Sequence, residues 1–490
     1  MLEKRLTRRD LLRNTAFVSA GALLAACQPK PAAPTAPVEK EVAQETVAVE
    51  KPPEKVAEEV ELRFISWASR HTERDVQPYY ENVFKEEHPN IKLTFELVPF
   101  AEYTRIVPTN IVAGTLADTI HINANQHMRY YDSGDYLDLT DYVDVAGIDI
   151  RNDFWLTGAE IWCGRVMSIP SWGDLYLMYY NRSLLEKEWG KDIWRDFDNK
   201  YTFADFEEAC IACTKDTTGD GRVDQFGVHM GQTSISLNAQ WCWTMGGDFF
   251  DWPNMRTQVE SPISVEAHKL IERWVKVSDI AVPPDALTEA TQLGLPSIFA
   301  GGKVGFWMRS ITDISTLNEF VVGDNAFEWD IASMPWYDDQ HPGIQLVSGH
   351  PYCVYSKTKH PDEAFEWISK LGTDGMMFMA EGPKTYPPHW YPALDAWLQQ
   401  SPAPDHMNYI ADGFAQGYGI HFRMWTKEEV DRIYRDRMEQ VFFENADMLE
   451  ALNGLDAEMN EAVQYGDCNP YMGIQIPMHG LGMQDIIDRR

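Results

Sequence analysis

Apolar and polar positions alternate along Glu61-Leu-Arg-Phe-Ile-Ser-Trp67, which predicts a strand. Val76, Tyr79, Tyr80, Val83 and Phe84 follow at helical spacing, and His88-Pro89-Asn90 breaks that helix. Ile91, Leu93, Phe95 and Leu97 alternate again as a second strand. Tyr103 to Ala113 carries a second helical period closed by Gly114, and Thr119-Ile-His-Ile122 is a third, short strand. The run is β-α-β-α-β, the pattern of an α/β lobe with a largely parallel sheet.

The rest of the chain keeps this mixed character. Gly164 to Tyr180 is extended, and Tyr201 to Thr214 is a helix with Thr202 as N-cap and Phe203, Phe206, Ala209 and Cys210 on one face. Ser264 to Val277 is another helix; Gly305-Phe-Trp-Met308 and Trp329-Asp-Ile-Ala332 are strands. Pro361 to Leu371 is a helix with proline at its first position and Gly372 at its end. Two amphipathic helices, 427–444 and 447–464, follow. No internal repeat occurs.

The N-terminus reads differently. Arg8-Arg9, with Thr7 before and Leu11-Leu12 after, resembles a twin-arginine export signal. Leu24-Ala25-Ala26-Cys27 resembles the lipobox of a bacterial lipoprotein. The apolar run between them is broken by Ser19 and Gly21 and is short of the roughly 20 residues a membrane-spanning helix needs. The expectation is cleavage after residue 26 and lipidation of Cys27, with the membrane reached only through that anchor. Residues 27–59 are rich in Pro, Ala, Glu, Val and Lys and lack apolar periodicity, which predicts a disordered spacer.

Charge and cysteine content narrow the partners. The 490-residue chain holds 42 Lys+Arg against 75 Asp+Glu, a formal charge of −33. Nucleic acid is disfavoured by that balance. With Cys27 lipidated, Cys163, Cys210, Cys213, Cys242, Cys353 and Cys468 remain, enough for three bridges in an oxidising compartment. Cys210-Ile-Ala-Cys213 falls late in its predicted helix, whereas redox chemistry needs the first thiol at a helix N-terminus. Buried thiols or a local bridge are expected there.

The order of segments resembles the family 1 extracellular solute-binding proteins of ABC importers, the group that includes maltose-binding protein. Val83-Phe84-Lys85-Glu86-Glu87-His88-Pro89-Asn90-Ile91-Lys92-Leu93 is similar to that family's F-x-x-x-x-P-x-I-K-V element. Ala113-Gly114-Thr115-Leu116-Ala117-Asp118 resembles A-A-G-x-x-P-D, with Ala117 in place of the proline. Gly164-Arg-Val-Met-Ser-Ile-Pro170 followed by Leu177-Met-Tyr-Tyr-Asn-Arg182 matches G-K-x-Y-G-x-P and L-x-Y-N-K. Tyr201 to Phe206, Asp216 to Gly227, Phe299 to Phe306 and Lys359 to Trp367 resemble further family elements in the same order. The resemblance implies a periplasmic-binding-protein-like α/β fold of type II, two lobes of discontinuous sequence joined by a hinge. By that pattern 60–172 and 303–348 form lobe one, and 173–302 and 349–490 form lobe two. It further implies a monomer that captures a sugar or similar polar solute between its lobes and delivers it to ABC permease subunits outside the cytoplasm.

Candidate ligand contacts follow from position. Trp67 ends the first strand, and Asn123 and Asn125 follow the third, where open α/β sheets place ligands. Trp172 and Asp174 lie just beyond Pro170, where the family uses an acidic residue on sugar. Trp241 and Trp243 precede the turn Gly246-Gly247-Asp248; Trp307 and Arg309 follow the Gly-Lys strand; Gly349 and His350 mark another crossing; Trp425 is a candidate cap. Asp216, Asp220 and Asp224 mimic part of a calcium loop, although Gly227 stands where the bidentate glutamate belongs. No other cofactor is implied. No Gly-x-Ser-x-Gly, His-Glu-x-x-His or Gly-x-Gly-x-x-Gly occurs, and the resemblance implies a binding protein rather than an enzyme. A ligand-sensing lipoprotein or a glycoside hydrolase are the alternatives.

Overall fold

The computed structural model describes residues 58–123, 128–155, 160–251, 254–292, 294–399, 404–416, 427–464 and 466. Eight strands form the main sheet: β1 Val60–Trp67, β2 Ile91–Val98, β3 Thr119–His121, β4 Ile169–Asn181, β5 Phe226–His229, β6 Val304–Ser310, β7 Trp329–Ala332 and β8 Leu346–Val354. Their order is β2-β1-β3-β8-β4-β6-β5, with β7 also paired to β4. The export signal, Cys27 and all but the last two residues of the spacer lie outside the described residues.

The expected parallel arrangement holds for β1 with β2, β1 with β3, and β6 with β5. It fails in the middle, where β4 and β8 run antiparallel to each other and β8 to β3 and β4 to β6. The sheet therefore has two wings of α/β character, the two lobes, joined by two long crossing strands. Their pairing divides the chain differently from the expected boundaries. Residues 306–310 pair with 176–180, beside β5, so 303–345 builds with the second wing. Past the crossing, β8 pairs with β3, and the following helix Pro361–Gly372 sets Trp367 edge-on to Phe64 of β1 at 6.0 Å. That part of 349–490 builds with the first wing.

Local signals explain the elements. Thr202 and Asp205 form a capping box on the helix Phe203–Cys213, satisfying two of its free N–H groups. Gly114 closes the helix Phe100–Ala113 in the left-handed conformation, φ 69°. The helix expected over 447–464 is instead two, Met448–Leu452 and Leu455–Ala462, because Gly454 between them adopts φ 75°. Three apolar clusters form the core: one that fills the first wing and runs on through Phe226, Val304 and Trp307, one of Phe203, Phe206, Trp241, Trp274 and Phe306 under the second, and one binding the C-terminal helices to the helices Ile235–Thr244 and Pro262–Glu272.

Cys210, Cys213, Cys242 and Cys353 are free and buried, so three bridges do not form. Burial pushes the Cys213 thiol up to about 12 and Cys210 well above its usual range, which removes the CxxC pair from nucleophilic chemistry. Cys163 is disulfide-bonded; Cys468 lies outside the described residues.

Candidate functional site

The crossing of β4 and β8 gathers aromatic and titratable side chains from six segments. Gly173 pairs with Gly349 and Trp172 with His350. A Cβ at Gly173 would sit 2.1 Å from Trp155 and 2.6 Å from the Ser348 carbonyl, so only glycine lets the strands and Trp155 meet here. With the backbone fixed, Trp172 and Asp174 project to the same face, one position apart from each other across Gly173.

Trp172 stacks on His350 with centroids 4.0 Å apart, and Tyr386 lies 4.3 Å from Trp172 on a tilt. The His350 Nε2–H donates to Asp174 Oδ2 at 2.9 Å, and Ser310 O–H donates to the other carboxylate oxygen. Beside them, Trp67 stacks on His121 at 4.3 Å. His121 donates through Nε2 to the His350 carbonyl and accepts from Ser66, both at 3.0 Å. Burial, and then the neighbouring His71 and His350, hold His121 far below its ordinary pKa, so it is neutral. A third chain runs from Tyr352 O–H to His71 Nε2 at 2.7 Å and from His71 Nδ1–H to Asp75 at 2.8 Å, with Thr385 donating to the far oxygen of Asp75. Burial raises the Asp75 carboxyl, opposed by His71.

Two polar atoms in this group are buried without a hydrogen-bond partner among the described residues: Trp172 Nε1 and His350 Nδ1. Buried polar atoms are normally satisfied, so this pair retains hydrogen-bonding capacity at one locus. The chemistry on offer is a stacked aromatic face, a carboxylate and an imidazole. Aromatic faces pack on apolar C–H surfaces, and carboxylates accept hydroxyl protons strongly.

The expected residues divide. Trp67, Trp172, Asp174 and His350 come together and remain 7%, 5%, 7% and 7% exposed, while Trp241 is 1% exposed inside the Phe203–Phe206–Trp274 core. Trp243 lies in the C-terminal cluster. Trp307 packs with Tyr179 and His229, and Arg309 lies 5.7 Å over Trp307 while its Nε donates to Asp313 at 2.7 Å. Arg309 is also an electrostatic neighbour of Asp174, so the end of β6 borders the group. Gly349 contributes backbone pairing, and Asn123 is half-buried just past β3. Asn125 and Trp425 lie outside the described residues.

Sequence reasoning missed His71, His121, Ser310, Tyr352 and Tyr386. His121 had a readable signal, a histidine on a strand flanked by isoleucines. Tyr386 had none, because it sits in the aperiodic stretch Pro383-Lys-Thr-Tyr-Pro-Pro388.

The calcium loop is accounted for internally. Asp216 accepts backbone N–H groups of Thr218, Gly219 and Gly221; Asp220 accepts that of Arg222; Asp224 takes Thr217 and the Lys303 ammonium at 2.9 Å. Among the described residues no cluster of three metal-ligating side chains occurs. A cavity of about 460 Å³ lies beside this loop, lined by Val223, Phe226, Ile298 and Lys303. It opens at the N-terminal ends of β5 and β6, the opposite end from Arg309 and Ser310.

A family model described as bacterial extracellular solute-binding protein matches residues 69–377, more than half of the chain. A Brucella abortus (strain 2308) protein with the provisional name of a binding protein is 24% identical over 300 residues, 60% of this chain and 68% of that relative. Among solved structures, an ABC substrate-binding protein from Listeria monocytogenes in complex with cycloalternan has a TM-score of 0.69 at 17% identity, covering 82% of this chain and 99% of that one. The maltose/maltodextrin-binding domain from Bdellovibrio bacteriovorus, bound to maltotriose, has a TM-score of 0.66 at 14% identity, with 82% and 99% covered. At these identities the likeness establishes the fold, two α/β lobes of discontinuous sequence joined at a hinge.

Proposed function

This chain belongs to the bacterial extracellular solute-binding proteins, and we propose that it captures a carbohydrate-like solute at the β4–β8 crossing and hands it to an ABC permease. One observation carries the choice of solute. Asp174, already held by His350 and Ser310, lies beside the stacked Trp172–His350 pair, whose Nε1–H and Nδ1 have no hydrogen-bond partner among the described residues. A pyranose offers hydroxyls for Asp174, Trp172 Nε1 and His350 Nδ1, and its apolar C–H face suits a site walled by Trp67, Trp172 and Tyr386. The similar Listeria and Bdellovibrio proteins, in complex with cycloalternan and bound to maltotriose, support the same class. Nothing in the site resembles an activated nucleophile, and the reading is of binding without turnover.

Calorimetric titration of mono- and oligosaccharides into the wild type and Asp174→Ala tests the site. The variant should bind the same sugar about 1–3 kcal/mol more weakly, the cost of a lost hydrogen bond to a charged group. Equal affinity would remove Asp174 from the site.

The anchor completes the proposal. Cys27, lipidated, tethers the domain through the spacer to the outer side of a membrane, and no helix among the described residues is long and apolar enough to cross one. Cell fractionation should find the wild type with membranes and Cys27→Ala in the soluble fraction; a membrane-bound variant would contradict the anchor.

A further inference from the structure

Glu319 lies on the helix Ile314–Phe320, which follows β6 in the second wing. Its carboxylate reaches across to the first wing. Oε2 accepts from Arg70 Nη2 at 3.0 Å and Oε1 accepts from Arg74 Nη1 at 2.5 Å. Both arginines follow the C-terminal end of β1, one helical turn apart. The two partners are separated by more than 240 positions in sequence, so this is a tertiary contact between wings and not local helix pairing.

A second contact runs in the same direction. Ser315, on the helix of Glu319, donates to the Thr385 carbonyl at 3.3 Å. Thr385 belongs to the segment that holds Tyr386 against Trp172 and is tied to Asp75 of the first wing. Arg70 is thus joined to Glu319 on one side and is an electrostatic neighbour of Tyr386 on the other. Its remaining terminal nitrogen, Nη1, is buried without a hydrogen-bond partner among the described residues. A buried guanidinium N–H is costly to leave unpaired, and a planar fork held at one end presents the other in a fixed direction.

We propose that Glu319 is a positioning residue that latches the two wings together, holding Arg70 so that its free Nη1–H group donates to an oxygen of the captured solute. The proposal rests on reading the β4–β8 crossing as the solute site. One guanidinium then serves solute and latch together, which links binding to closure. Exposed ion pairs contribute little singly, about fivefold in an equilibrium at most. A lobe equilibrium near balance is sensitive to a factor of that size.

The test separates the latch from the solute reading by measuring closure directly. Spin labels at Val112→Cys and Ile211→Cys, both on exposed helix faces of opposite wings, report the distance between wings in the full chain by pulsed electron resonance. The native Cys210, Cys213, Cys242 and Cys353 are buried and stay unlabelled. Glu319→Gln should lengthen the mean distance in solute-free protein and Glu319→Lys should lengthen it more, while the control Glu266→Lys on an exposed helix face leaves it unchanged. With maltotriose or whichever panel saccharide the wild type binds, Glu319→Gln should weaken affinity up to about fivefold and Arg70→Ala about fivefold or more, each at an unchanged thermal midpoint. A distance distribution that ignores Glu319→Gln and Glu319→Lys would overturn the latch even if sugar binds. A lengthened distance with unaltered sugar affinity would overturn the role of Arg70 toward the solute.

Discussion

His268 is fully buried, with Nδ1–H donating to the Ser264 carbonyl at 2.7 Å and Nε2 accepting from Tyr434 O–H at 2.8 Å. Tyr434 in turn accepts from Asn238 at 2.9 Å, so this chain of neutral groups binds the C-terminal helix to the helices beneath. Burial pulls His268 down to about 4, against an unfolded value of about 6.5. The unfolded chain therefore takes the proton first, and stability falls as pH drops below about 6.5, levelling off near 4. Asp75 and Asp330, raised by burial, act in the opposite sense, so the clean observable is a difference between variants. Urea unfolding at pH 7 and pH 5 should show wild-type stability falling faster than that of His268→Gln, by about 1 kcal/mol per pH unit. Parallel losses would show that His268 does not titrate on unfolding. At this scale the sequence was a partial guide. Trp67 is picked out by where its strand ends, and Trp172, Asp174 and His350 by the family pattern at the crossings, but Trp241 shares their composition and is core. Only packing separates a tryptophan at the proposed site from one filling an interior.

Elements were more legible than residues. Alternation found β1, β2 and β3, and a threonine before a helical period found the cap at Thr202. These features are local, and short stretches of chain encode them. The break at Gly454 was not found, because the apolar period continues through it and glycine inside a helix is tolerated often enough to mislead. The strand β4 reads as extended chain and β8 shows only as a crossing at Gly349 and His350, so their antiparallel pairing is hidden. Each is buried along almost its whole length, so neither shows the alternation that reveals which face is in. That pairing brings Gly173 to Gly349 and sets Trp172 on His350, so the least legible part of the fold is the part that builds the proposed site.

At the scale of the whole molecule, the chain is two α/β wings sharing a sheet, with the chemistry at the seam. The lobe boundaries could not be read from periodicity, because which wing a strand joins is decided by partners far away in sequence. Residues 304–310 find theirs at 176–180, and 352–354 find theirs at 119–121. The formal charge of −33 disfavours nucleic acid as a partner, and the proposed site takes its polarity from Asp174, His350, Arg70 and Arg309. The central claim is that this seam binds a carbohydrate and does not transform it. The most direct measurement is a thermal-shift screen of the purified protein against monosaccharides, oligosaccharides, polyols and amino acids, with each compound assayed for integrity afterwards. A ligand that binds only the folded state raises the midpoint by mass action, about 2.7 kcal/mol of stabilisation at one hundred times its dissociation constant. The account predicts a clear rise with one group of sugars and complete recovery of the sugar. A rise confined to amino acids or polyols, or a sugar consumed during incubation, would contradict it.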